Sequence, residues 1–246
     1  MLRTASFIPE EGRLLCEGCG YILTGLDPDS LCPECAQPIA ESLPERREPP
    51  PWERPNTGRW FAFRATTAAV IFRTSRFYRR LSTRNPSDRS VTFARIHTCI
   101  ASALFAAAGV LHLNWLLLRP ATQLVDSLLL TIGLLAGGFT ATYLALSWTA
   151  RLAGRLTSLE AAYRGFRLPH AVVVRGLHYH AAHYLPVALA ALGTVGGYQI
   201  LLLAGAVDDR HATYYIYALC GQVVLSAAYL FQAYWAAMRS MLYANG

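Results

Sequence analysis

The sequence predicts a mainly α protein, a multi-span transmembrane helical bundle preceded by a small cysteine-rich module. Three observations predict it. The 246 residues are 54% hydrophobic and only 15% charged, with a mean hydropathy of +0.28, where a soluble domain carries about 25% charged residues. Long apolar segments follow one another after residue 95. Four of the six cysteines fall in two C-x2-C pairs near the N-terminal end.

Residues 14–40 form the cysteine-rich unit. Cys16-Glu-Gly-Cys19 and Cys32-Pro-Glu-Cys35 are two knuckles separated by 12 residues. Each knuckle turns two thiolates inward about 3.5–4 Å apart, and the two together supply the tetrahedral four-sulfur shell that zinc prefers. Gly18 and Gly20 permit the tight turn. With all four positions filled by protein the metal is structural, and its binding supplies folding energy that so small a core lacks. An iron centre of rubredoxin type and two redox dithiols are the competing readings. Cys99 and Cys220 lie in apolar stretches and read as small packing residues, a split that argues against a secreted disulfide framework. Residues 1–13 lack the succession of a signal peptide.

Residues 41–57 carry Pro44, Pro49, Pro50, Pro51 and Pro55 among charged residues, the composition of an extended, semi-rigid linker. Residues 58–95 form a basic amphipathic segment. On a helical wheel Trp60, Phe63, Thr67, Val70, Ile71, Phe77 and Tyr78 share one arc, with Arg73, Arg76 and Arg80 roughly opposite. An aromatic face backed by arginines suits a helix lying in the bilayer interface, with those three arginines on lipid headgroups. The plain alternative is a helix packed on the protein's own bundle.

The bundle occupies residues 96–240, with spans at about 96–118, 125–150, 184–207 and 214–238, each meeting the requirement of roughly 20 residues to cross hydrocarbon. Twelve arginines lie between residues 46 and 95. Arg151, Arg155, Arg164, Arg167 and Arg175 follow the second span, and Arg239 ends the last. The other two loops hold only Arg119 and Arg210. The positive-inside rule therefore puts both termini in the cytoplasm. All 22 basic residues are arginine, a usage that fits a GC-rich genome. The net charge of +7 suits anionic lipid in so apolar a chain, and nucleic acid is not expected as a partner. Leu152, Leu156, Leu159, Tyr163 and Phe166 extend the second helix past the membrane to Leu168-Pro169, and Glu160 precedes Arg164 by four. Residues 170–183 read as a second interfacial or re-entrant helix, and Pro186 should bend the third span. A five-span version, splitting 171–207 into two short crossings, is the alternative.

The run Cys16-x-x-Cys19-Gly20-Tyr21-x-Leu23-x-Gly25-Leu26, then Cys32-Pro33-Glu34-Cys35, resembles the small ribbon that heads many bacterial membrane proteins, with Ala36 where a glycine is usual; that resemblance implies a multi-pass protein of the cytoplasmic (inner) membrane of a bacterium. The region behind it, about residues 70–240, resembles the Yip domain, a multi-helix membrane module. The matching parts are Phe72-Arg73-Thr74-Ser75-Arg76-Phe77, the run Tyr179-His180-Ala181-Ala182-His183-Tyr184-Leu185-Pro186 before a glycine-rich span, and the tyrosine-rich last span. That resemblance implies five spans; eukaryotic members are associated with small GTPases and vesicle traffic, and bacterial members lend no settled role.

Gly133-x3-Gly137 and Gly193-x3-Gly197 offer helix-packing grooves, facing each other or a second copy of the chain. His180 and His183 share a helical face while His178 points away, so the three read as interfacial histidines on headgroups rather than as a metal site. His112 and Asn114 lie in the outer half of the first span and Asp126 begins the second; one histidine with one asparagine is no proton relay. No Ser/His/Asp set, H-E-x-x-H motif or phosphate-binding glycine loop is present. These readings converge on a non-enzymatic membrane scaffold or adaptor, anchored in a bilayer with anionic headgroups, whose zinc ribbon docks a cytosolic protein. The alternative is a small-solute permease or channel component acting as a homo-oligomer, with His112, Asn114, Gln123 and Asp126 as its polar path.

Overall fold

The computed structural model describes residues 13–83, 88–117 and 128–245. Among them the chain is mainly helical, with isolated bridges but no strand. In order come α1 (Arg59–Phe72), α2 (Thr74–Arg80), α3 (Asp88–Leu117), α4 (Leu128–Arg164), α5 (His170–His180), α6 (Tyr184–Leu203) and α7 (Ala212–Arg239). Four helical runs are long and apolar enough to cross a membrane: Asp88–Leu113, Leu128–Arg164, His170–Leu203 and Ala212–Arg239. Arg119, Gln123 and Asp126 lie outside the described residues.

Local chemistry sets the helix ends. The second candidate span, α4, stops at Arg164, short of the expected Leu168-Pro169, because Gly165 takes a left-handed backbone (φ 71°). The amide of Phe166 then bonds the Ala161 carbonyl at 2.9 Å and that of Gly165 the Ala162 carbonyl at 3.3 Å, satisfying carbonyls the helix would otherwise orphan. Gly205 (φ 69°) ends α6 in the same way, through Ala206 to Leu201 and Gly205 to Leu202. Pro186 is the third residue of α6. It sits in the first turn, where no amide is needed, and the chain tightens into a 3₁₀ turn at Ala181–His183, beside the Ala182 carbonyl with which the ring of Pro186 would clash in a regular helix. The run from His170 to Leu203 is one candidate span.

The chain divides into two compact units. One holds Ala94–Thr149 and Ala181–Gln232. Its interior is built of small side chains, Ala101, Ala181 and Ala188 with Tyr184, wedged by Leu104, Phe105, Leu146 and Leu230. Its outside is apolar: Leu128, Leu129, Ile132, Leu144 and Trp148 of α4 are exposed, as are Ile200, Leu203 and Val223 to Leu225. Such a surface is stable against lipid and a liability against water. Gly133, Gly137, Gly193 and Gly197 face open space within the chain, and the close approach is made instead by Gly138, against Ala106. Cys99 and Cys220 are exposed, so they do not fill the interior as expected. His112 pairs through Nδ1 with the Tyr215 hydroxyl at 2.7 Å, Tyr215 stacks on Tyr198 at 4.1 Å, and Gln199 donates to the Leu111 carbonyl.

The other unit gathers residues through Phe93, Ala150–His180 and Ala233–Gly246. Here several expectations are corrected. Residues 41–57 are not an extended spacer but a packed strap. Glu48 pairs with Leu81 in a parallel bridge, and Trp52 packs on Phe63 and Phe93. Glu53 makes an ion pair with Arg175, both side chains 4% exposed, and accepts a hydrogen bond from Tyr179. Prolines disfavour regular structure, but the strap's arginine, tryptophan and glutamate find distant partners. The amphipathic segment is two helices, broken at Arg73 (φ −136°, ψ 40°). Of the expected lipid-facing arc, Val70 and Tyr78 are buried against the protein itself and Phe63, Thr67, Ile71 and Phe77 are half-buried, while Trp60 stays exposed, as do Phe61 and Phe72 outside the arc. Arg73, Arg76 and Arg80 are exposed. The histidines are not on headgroups: His180 and His183 are buried, and His178 is half-buried with its Nδ1 3.1 Å from Ser90 Oγ. His183 belongs to the first-described unit, bonded through Nδ1 to the Tyr229 hydroxyl at 2.7 Å.

Candidate metal centre

Two short backbone loops place the four thiols. In the first, the Gly20 amide bonds the Cys16 carbonyl and the Cys16 amide the Tyr21 carbonyl, both at 2.8 Å. The second repeats the pattern, Ala36 to Cys32 at 2.9 Å and Cys32 to Gln37 at 2.8 Å. Each loop closes on a left-handed residue, Gly20 (φ 82°) and Ala36 (φ 56°). Glycine reaches that conformation freely and alanine does not, so the substitution noted in the sequence puts strain in the second knuckle only.

The loops bring the four sulfurs within 4.8 Å of one another, with Cys16 Sγ 3.5 Å from Cys35 Sγ and Cys19 Sγ 3.6 Å from Cys32 Sγ. Those separations exceed a disulfide bond and match a tetrahedron of sulfurs about 2.3 Å from a central ion. The residues fit a metal held by four thiolates with no coordination position left open. Beneath it Cys16, Cys32, Leu23 and Ile39 make the ribbon's small core. Burial pushes the Cys16 and Cys19 thiols up. Cys32 is also raised by burial, but the amides of Cys35 and Glu34 and the neighbouring thiols outweigh this and hold it at about 7. Among the described residues, no other group of three or more histidines, cysteines and carboxylates converges in this way.

The ribbon is locked to its surroundings through residues the sequence did not single out. Glu17, inside the first knuckle, receives two hydrogen bonds from Arg47, at 2.7 and 2.9 Å, in a buried fork. Arg47 also donates to the carbonyls of Tyr78 and Leu81. The Asn245 side chain bonds the Leu15 amide and carbonyl and the Ser42 carbonyl, while its amide bonds Glu17. The Tyr243 ring lies where a Cβ on Gly20 would stand, 2.7 Å away. A charged residue between two ligand cysteines was the one available signal; nothing in the sequence pairs it with positions 47 and 245.

No protein-family model, curated protein or solved structure matches the chain. The chain is thus a multi-pass membrane protein by its four apolar helices, with a cysteine cluster able to hold a metal ion.

Proposed function

We propose that this chain is a non-enzymatic membrane scaffold whose metal is structural zinc and whose ribbon docks a cytosolic protein. The observation that carries the reading is the ribbon's two-sidedness. One side is fastened to the chain's own C-terminal residues through Asn245 and Tyr243. Yet Tyr21, Ile22, Leu26 and Leu31 are exposed, Leu31 at 57%. Apolar side chains on so small a module are what a protein partner would cover. A closed sulfur shell suits structural zinc and leaves no open position for a substrate. The cytoplasmic placement of both termini rests on arginine placement, and the bacterial inner membrane on the ribbon's resemblance. It agrees with a unit that gathers the N-terminal segment, the α4–α5 connection and the C-terminal tail, since four spans put all three on one side. The Yip-like resemblance would fit a scaffold of this kind.

The test uses the full chain in detergent after crosslinking in cells. Wild type, Leu31→Asp and Cys16→Ser/Cys19→Ser are compared for zinc content and for crosslinked proteins. The docking reading expects Leu31→Asp to keep zinc and lose a specific crosslinked partner that wild type retains. An identical partner set in all three chains would remove it.

A second reading, a permease or channel component formed by several copies, is favoured by the polar contacts among α3, α6 and α7 at His112, Tyr215 and Gln199 and by the open glycine faces at Gly133, Gly137, Gly193 and Gly197. A cysteine-accessibility scan along α4 and α6 separates the two, since only a pore requires a continuous water-reactive face.

A further inference from the structure

Away from the cysteines, a cleft of about 420 Å³ opens among the strap, α1 and α3, lined by Trp52, Arg54, Asn56, Thr57, Arg59, Ala62, Arg89 and Thr92. We propose that it is a binding site for the phosphate group of an anionic phospholipid. The proposal is independent of the docking role of the ribbon.

Three arginines, Arg54, Arg59 and Arg89, line it. Arg89 is set by bonds from Nη1 to the carbonyls of Glu53 and Arg54. Arg54 is set by its bond to the Pro49 carbonyl and its ion pair with Glu48. Arg59 has no partner for its guanidinium among the described residues. The acids nearby are Glu48, already paired to Arg54, Glu53, already paired to Arg175, and Asp88, which begins α3. The balance is positive before any ligand enters, and arginine forks suit phosphate oxygens. The start of α1 adds to this: it has neither a capping side chain nor an acidic residue in its first turn, so its leading amides are available to an anion.

Location selects the source of the phosphate. The candidate span that begins at Asp88 has 26 residues, about 39 Å of helix against about 30 Å of hydrocarbon. That surplus lets its first turns, with Arg89 and Thr92, reach the headgroup layer. Next to Arg59, Trp60 and Phe61 are 71% and 72% exposed, aromatic rings of the kind that sit at the acyl boundary. A soluble phosphate would use the arginines and leave those rings in water; a phospholipid uses both.

The experiment is native mass spectrometry of the delipidated full chain in neutral detergent, titrated with dioleoylphosphatidylglycerol, dioleoylphosphatidylcholine or inorganic phosphate. Wild type should bind phosphatidylglycerol in preference to phosphatidylcholine. Arg59→Gln should weaken that binding about fivefold, and Arg59→Gln/Arg89→Gln about 25-fold. Arg151→Gln/Arg155→Gln, equal in charge change but outside the cleft, should weaken it less than about twofold. The single variant removes no internal contact, so it decides the matter even if the double variant does not fold. Wild-type affinity in Arg59→Gln, or an equal loss in the outside pair, overturns the site. Inorganic phosphate competing off the lipid as well as free lipid does overturns the lipid as its source.

Discussion

Ala36 holds a left-handed backbone that costs an L-residue about 1 kcal/mol or more, in a position where its side chain is exposed and its amide already bonds Cys32. Ala36→Gly should therefore stabilise the ribbon by about 0.5–1 kcal/mol, measured as slower metal transfer to a chelator. Gly20 is the opposite case. It combines a left-handed φ with a ring 2.7 Å from where its Cβ would stand, so Gly20→Ala should cost about 2 kcal/mol or more. Trimming the ring with Tyr243→Leu should recover only part of that loss, because the backbone strain stays. The buried Arg47–Glu17 fork sets a third expectation. Arg47→Ala leaves a buried carboxylate and two backbone carbonyls without their donor, a loss of about 3–5 kcal/mol. Removing both charges as Glu17→Gln/Arg47→Met should cost less than the single change, which a denaturation series on the pair and its singles would reveal.

At the scale of elements, composition spoke clearly for the apolar helices and poorly for everything packed outside them. The four long helices were legible because twenty apolar residues in a row have few other uses. Their ends were less so: Gly165 stops α4 through a backbone conformation, while the apolar spacing runs on past it. Gly165→Ala should lower the melting temperature through a loss of about 1 kcal/mol and leave the span unchanged. The strap departs from its composition for a definite reason. Proline-rich segments have no local periodicity, so whether they extend into water or lie on a surface depends on partners elsewhere in the chain. Its anchor is Glu53, and Glu53→Ala strands Arg175 in a buried position. That change should cost about 3 kcal/mol and raise protease cleavage within residues 48–57, read by limited digestion of the full chain in detergent.

For the whole molecule, a metal held by the four cysteines would act on more than its own loop. The ribbon, the strap, the end of α2 and the C-terminal tail share Arg47, Glu17 and Asn245, so losing the ion should loosen them together. Stripping it with a chelator should raise hydrogen exchange in residues 13–40 and 240–245 in parallel, and leave the centre of α4 as it was. Acid should do the same, because protons compete with the ion for the four thiolates and metal affinity falls as pH falls. Exchange confined to the ribbon would show that the shared contacts carry no coupling.

The sequence by itself determined the class of this protein and the four cysteines able to hold a metal ion. Apolar length dictates membrane crossing wherever it occurs, and C-x2-C spacing brings two sulfurs together within a single turn; both are local properties. The tertiary structure alone decided the rest. It turned a linker into a strap, buried histidines expected at headgroups, split one amphipathic helix into two, and collected Arg54, Arg59 and Arg89 around one cleft. Each of those outcomes depends on which residues, tens to hundreds of positions apart, become neighbours. A charged or aromatic side chain carries no mark of its partner until the chain has folded.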